Sequence, residues 1–138
     1  MVIIDATGAV VGRLSATVAK KILAGEEVII TNIEKAVFSG DPVKIAARYL
    51  DKRGIQNKSN PEHSPKWPRR ADYLFKKIIS GMLPKRSSRS AAALKRLRAY
   101  YGVPKELEGK PAEKHAKKLA CRTLSMEELS ARLGFKSG

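Results

Sequence analysis

Two β-branched runs, Val2-Ile3-Ile4 and Val28-Ile29-Ile30-Thr31, bracket a stripe of Val11, Leu14, Val18 and Ile22. Short apolar runs of this kind suit buried strands. Spacings of three and four residues put the four stripe residues on one helix face, with Arg13, Lys20 and Lys21 off it. Gly8 opens the turn before the helix, and Gly25 stops it, because glycine takes positive φ readily at a helix C-terminus. Strand, helix and strand in under 35 residues form a βαβ unit. Its strands must be parallel and its crossover right-handed. The chain is therefore a small α/β protein.

Further elements follow by the same reasoning. Asp41-Pro42 starts a second helix, since Asp caps free amides and Pro needs no amide at the first position. That helix is expected to run to about Lys52, ending before Gly54. Residues 54–70 are rich in Gly, Asn, Ser and Pro and read as an irregular loop. A loop this long inside a compact domain is usually functional. A third helix is expected from about Arg70 to Ser80, with Leu74, Phe75, Ile78 and Ile79 inward and Gly81 ending it. Ala91 to Leu97 is helical by propensity, and Ala99-Tyr100-Tyr101 reads as a strand. Ser125-Met126-Glu127-Glu128 fits a capping box for a last helix, stapled by Leu124 and Leu129 and ended by Gly134. Residues 105–122 are polar and carry little pattern.

The length of 138 residues and a 43% hydrophobic share suit one domain, 1–138, with its own core. Within it, 1–43 reads as the folding core, 44–104 as a basic part and 105–138 as a C-terminal extension. No run of roughly 18 apolar residues is present to cross a bilayer. Met1 to Asp5 lacks the pattern of a secretory signal. The single cysteine, Cys121, cannot form an internal disulfide, and no Cys/His cluster suggests zinc. A reducing cytoplasm, with no metal and no cofactor, is the expectation.

Charge narrows the function. The chain carries a net +15, but residues 1–43 hold 4 Lys and Arg against 5 acidic residues. Residues 44–98 hold 16 against 3, and residues 99–138 hold 8 against 5. Such a patch repels itself unless a polyanion neutralises it. Nucleic acid is that polyanion, because each neutralised phosphate releases counterions. On the second helix Lys44, Arg48 and Lys52 form a ridge at every fourth residue, followed by Arg53. The loop adds Lys58, Lys66, Arg69 and Arg70, and the third helix adds Lys76 and Lys77. Lys85, Arg86 and Arg89 lie in a serine-rich turn, and Lys95, Arg96 and Arg98 follow. Guanidinium forks suit phosphates and stack on bases. Trp67, in Pro65-Lys66-Trp67-Pro68, either stacks on a base or anchors the loop.

An active site does not emerge. Gly8-Ala9-Val10-Val11-Gly12-Arg13 sits where phosphate loops sit but matches neither dinucleotide nor P-loop patterns. His63 and His115 lack Ser or Cys companions, and Asp5 and Glu34 after the strands suit capping or local pairing. No helix-turn-helix, zinc-finger or basic-zipper pattern indicates DNA, and no RNP motif is present. A small core with long basic loops suits the uneven surface of a large folded RNA.

Four blocks then resemble large-subunit ribosomal protein L-thirteen in its archaeal and eukaryotic form. They are Asp5-Ala6-x-Gly8-x-x-x-Gly12-Arg13-Leu14; Ser39-Gly40; Asn60-Pro61 with Pro65 and Arg69; and Gly81-Met82-Leu83-Pro84. The last block continues through Arg86, Arg89, Ala92-Ala93-Leu94, Arg96-Leu97 and Gly102-x-Pro104. Ser80, Ser88 and Ser90 depart from the family pattern. The short Ala24-Gly25-Glu26 link favours the archaeal type.

This resemblance implies a three-layer α/β/α fold on a four-stranded, mainly parallel sheet with basic extensions. It implies binding to 23S-type rRNA in the large subunit, a role in early assembly and neighbouring large-subunit proteins. It does not imply catalysis, a small-molecule substrate or a membrane, and a homo-oligomer is not expected. A regulator acting on free mRNA and a nucleotide enzyme using the Gly8–Arg13 turn are the competing readings.

Overall fold

The computed structural model describes residues 1–117 and 119–136. In chain order the elements are β1 (Val2–Asp5), α1 (Val11–Ala24), β2 (Val28–Thr31), β3 (Val37–Ser39) and α2 (Pro42–Gly54). Next come α3 (Ala71–Met82), α4 (Ser88–Lys95), β4 (Leu97–Ala99), β5 (Glu113–Lys114), β6 (Thr123–Ser125) and α5 (Met126–Arg132).

The expected βαβ unit is present. β1 and β2 pair in parallel, Val2 opposite Val28 through Asp5 opposite Thr31. β4 joins the far side of β2 and β5 the far side of β1, both parallel, so the sheet order is β4-β2-β1-β5. Side chains alternate across a sheet. Register therefore puts Val2, Ile4, Val28, Ile30, Leu97 and Ala99 on one face. That face shares a core with Leu14, Val18 and Ile22 of α1 and with Leu74, Phe75 and Ile79 of α3. Ile3, Ile29 and Arg98 align on the other face. The crossover from β4 to β5 runs there, with a single 3-10 turn at Lys105–Leu107 and a buried Leu107. Helices, sheet and crossover make three layers, consistent with the α/β/α order expected, the crossover's 3-10 turn taking the place of a helix on the second face, and the sheet is parallel throughout.

Outside this sheet, β3 and β6 form a two-stranded antiparallel ribbon. It ties the C-terminal part to the core, helped by the Met126 amide donating to the Ala36 carbonyl at 2.8 Å. Ser125 caps α5 through its hydroxyl, which accepts the Glu128 amide at 3.1 Å. Leu124 and Leu129 are fully buried.

Some boundaries differ from expectation. α3 runs through Gly81 to Met82, and Leu83 then turns extended (ψ 157°) ahead of Pro84, which disfavours helical geometry in the preceding residue. α4 begins at Ser88 rather than Ala91, and β4 at Leu97 rather than Ala99. Leu97 and Ala99 are needed inward opposite Val28 and Ile30, and this pairing overrides helix propensity.

Candidate nucleic-acid interface

Asp41 starts α2 as expected: its carboxylate accepts the Val43 amide at 3.0 Å, and Pro42 takes the first helical position. Lys44 and Arg48 point to solvent, whereas Lys52 and Arg53 lie half-buried against the loop. The Lys52 ammonium sits 4.5 Å from the Trp67 ring centroid and 5.0 Å from that of Tyr49. Burial, and then the like charge of Arg48, lower the Lys52 amine below its ordinary pKa. Arg53 donates to the Trp67 carbonyl at 2.9 Å. The Trp67 ring meets Tyr49 edge-on at 5.9 Å, and Tyr49 in turn meets Phe38 at 5.7 Å. The indole is thus a half-buried anchor that fixes the loop to α2, and the Lys77 ammonium lies 5.8 Å from its ring.

Between these anchors the loop holds its own shape. The Asn57 amide donates to the Ser64 hydroxyl at 2.9 Å, and the Asn57 side-chain oxygen accepts from the Ser59 hydroxyl at 2.8 Å. Lys58, Lys66 and Arg69 are exposed along it. Arg70 stands just before the first residue of α3 and donates two hydrogen bonds, at 3.1 and 2.9 Å, to the carboxylate of buried Asp72. Its guanidinium also lies 5.2 Å from the Tyr73 ring. Lys76 is half-buried on α3, 5.9 Å from the same ring.

The second cationic group surrounds α4. Lys85 and Arg86 are exposed in the turn before it, and Arg86 holds a left-handed backbone (φ 55°). Arg89 and Arg96 reach the C-terminus of α1, donating to the Leu23 carbonyl at 3.4 Å and the Ile22 carbonyl at 3.3 Å. Lys95 is exposed beside them, and Arg98 emerges on the other sheet face. The structure thus sorts the basic residues into a group on α2, the 55–70 loop and α3, and a group around α4 and β4. Arg53, Arg70, Arg89 and Arg96 have structural partners as well.

The family model described as Ribosomal protein L13 matches residues 1–106. The chain belongs to the ribosomal protein L13 family. Among its relatives, large ribosomal subunit protein uL13 of Archaeoglobus fulgidus is 39% identical over 97% of this chain and 88% of the relative. The uL13 of Methanosphaera stadtmanae is 40% identical over 97% of each chain. That of Methanocaldococcus jannaschii is 40% identical over 99% of each.

L13-family proteins are structural ribosomal proteins, not enzymes, which disposes of the nucleotide-enzyme reading of the Gly8–Arg13 turn. In this L13-family chain that turn is held by backbone pairing, Ala9 bridging Ala116 and Val10 bridging Val37. Beside it, Arg13, His115 and Lys117 line a cavity of about 160 Å³, a basic group the sequence reading missed. Arg13 could be seen off the α1 stripe, but no pattern in 105–122 brings His115 and Lys117 to it. Lys21 is taken up by Glu113 at 2.6 Å, and this hydrogen bond is the main cause of a lowered Glu113 pKa.

Proposed function

We propose that this L13-family chain binds 23S-type rRNA in the large ribosomal subunit and supports its early assembly. One observation carries the reading. Of the 16 Lys and Arg in residues 44–98, only Arg70 sits in an ion pair among the described residues. Solvated helix faces ordinarily mix signs to relieve repulsion; this stretch leaves its cations to an external polyanion. They stand on short helices and a braced loop, so little backbone has to be ordered when they meet phosphates. Two groups of cations on separate elements suit clamping of more than one RNA segment. Such a clamp acts while rRNA is still folding, hence the assembly role. Neighbouring ribosomal proteins share the site of action, a cytoplasmic particle, and the chain acts as a single copy.

Crosslinking and sequencing of RNA bound to the tagged protein in cells tests this. Reads concentrated on one region of large-subunit rRNA are expected. Reads scattered over mRNAs, with release from large subunits in a high-salt wash, would replace it with the regulator. Depletion of the protein should accumulate large-subunit precursors. Arg86→Ala with Arg89→Ala should weaken rRNA binding and flatten its salt slope by up to ~0.9 per lost phosphate contact.

A further inference from the structure

We infer that the cleft between the end of α2 and the 55–65 loop receives one unstacked nucleotide of the bound RNA. This rests on the rRNA-binding reading above and adds what the loop recognises. The cleft has a volume of about 540 Å³, within the roughly 300–1,000 Å³ of small-ligand sites. Cavities beside Arg13, beside Arg98 and under Leu107 hold only about 160, 80 and 170 Å³.

Its lining has three chemistries suited to a nucleotide. Ile55, 55% exposed, and Pro65 offer apolar surfaces against which a base can lie. Gln56, Asn57 and Ser64 offer amide and hydroxyl groups for a base edge or ribose hydroxyl, and no side-chain hydrogen bond within the described residues engages the Gln56 amide. Arg53 and Lys58 stand ready for the phosphate. The walls are formed in advance. The Asn57 side chain accepts from Ser59 and from the Asn60 amide at 2.8 and 3.3 Å, and Arg53 is fixed to the Trp67 carbonyl. A stacked duplex cannot enter such a cleft, whereas an unpaired base can be splayed into it, as single-stranded RNA is commonly read.

The test uses the full chain and in-vitro transcribed large-subunit rRNA, with base-specific chemical probing. Wild type should protect the base edge of one unpaired nucleotide inside its footprint. Gln56→Trp, which narrows the cleft and removes the Gln56 amide, should restore that nucleotide's reactivity and weaken binding about tenfold, the scale of one lost base contact. The rest of the footprint should persist. Lys58→Gln, a milder exposed change, should weaken binding and partly restore the same reactivity; it decides the matter if Gln56→Trp does not fold by circular dichroism. A normal footprint whose protections and affinity neither variant alters would overturn the cleft assignment and leave rRNA binding intact. No footprint with wild type would overturn rRNA binding itself, and the cleft assignment with it.

Discussion

The Arg96 guanidinium donates to the Ile22 carbonyl oxygen at 3.3 Å, the same oxygen that accepts the Gly25 amide at 3.2 Å. It sets a positive charge at the C-terminus of α1, where carbonyls lack helical partners and the helix dipole is negative. Arg96→Ala should therefore lower the unfolding free energy by ~1 kcal/mol. Arg86→Ala, with no hydrogen bond holding its side chain among the described residues, should cost less than ~0.5 kcal/mol. Urea denaturation distinguishes them; equal losses would show that the Arg96 bond carries no weight in solution.

Arg86 itself is strained. Its φ of 55° is a left-handed conformation that costs an L-residue roughly 1–2 kcal/mol. Arg86→Gly releases that strain and adds back part of it as unfolded-chain entropy. The Gly variant should be as stable as wild type or up to ~1 kcal/mol more stable, while losing as much rRNA affinity as Arg86→Ala. Thermal melts and filter binding read the two effects. A destabilised Gly variant would show that the turn is not left-handed at this residue.

Trp67→Ala should free the loop. The indole is half-buried against Tyr49 and Lys52, so removal should cost ~2 kcal/mol, below the range for a fully buried aromatic. Hydrogen exchange at the Asn57 amide, which donates to Ser64, should accelerate. The Lys52 amine should titrate closer to its ordinary value as burial is relieved. Unchanged exchange with reduced rRNA binding would make Trp67 a stacking platform instead.

The elements readable from sequence are those whose own residues decide them. The β1–α1–β2 unit, the Asp41 cap, Gly25 (φ 103°) and the Ser125 cap rest on local patterns. β3, β5 and β6 do not. Glu113 and Lys114 are exposed and polar, and they become a strand only because the edge of β1 offers Ile4 and Asp5 as partners. Val37–Ser39 is too short for a period to show and needs a strand 84 residues or more away in sequence. Net charge located the basic stretch, but the second role of Arg89 and Arg96 was hidden. It depends on α4 packing beside the far end of α1, which only tertiary contacts determine.

Asp5 gives the fold an acid dependence. Burial pushes its carboxyl up, but hydrogen bonds from Asn32 and from the Thr7 hydroxyl and amide, with the charge of Lys114, together hold it below its ordinary value. Those bonds are 3.0, 2.7 and 3.1 Å and all end on one carboxylate oxygen. A carboxylate with a lowered folded pKa binds fewer protons folded than unfolded. Its contribution is fully present above the unfolded value of about 3.9, and it is lost as pH falls through the folded one. Stability should therefore fall as pH drops below about 4. Asp5→Asn should cost ~1 kcal/mol at pH 7 and flatten that fall. It should not abolish it, because Glu113, lowered chiefly by its hydrogen bond from Lys21, acts with the same sign. Urea midpoints at pH 7 and pH 3 for both proteins measure the difference. An identical drop in the variant would place the acid dependence elsewhere, with Glu113 the next residue to replace.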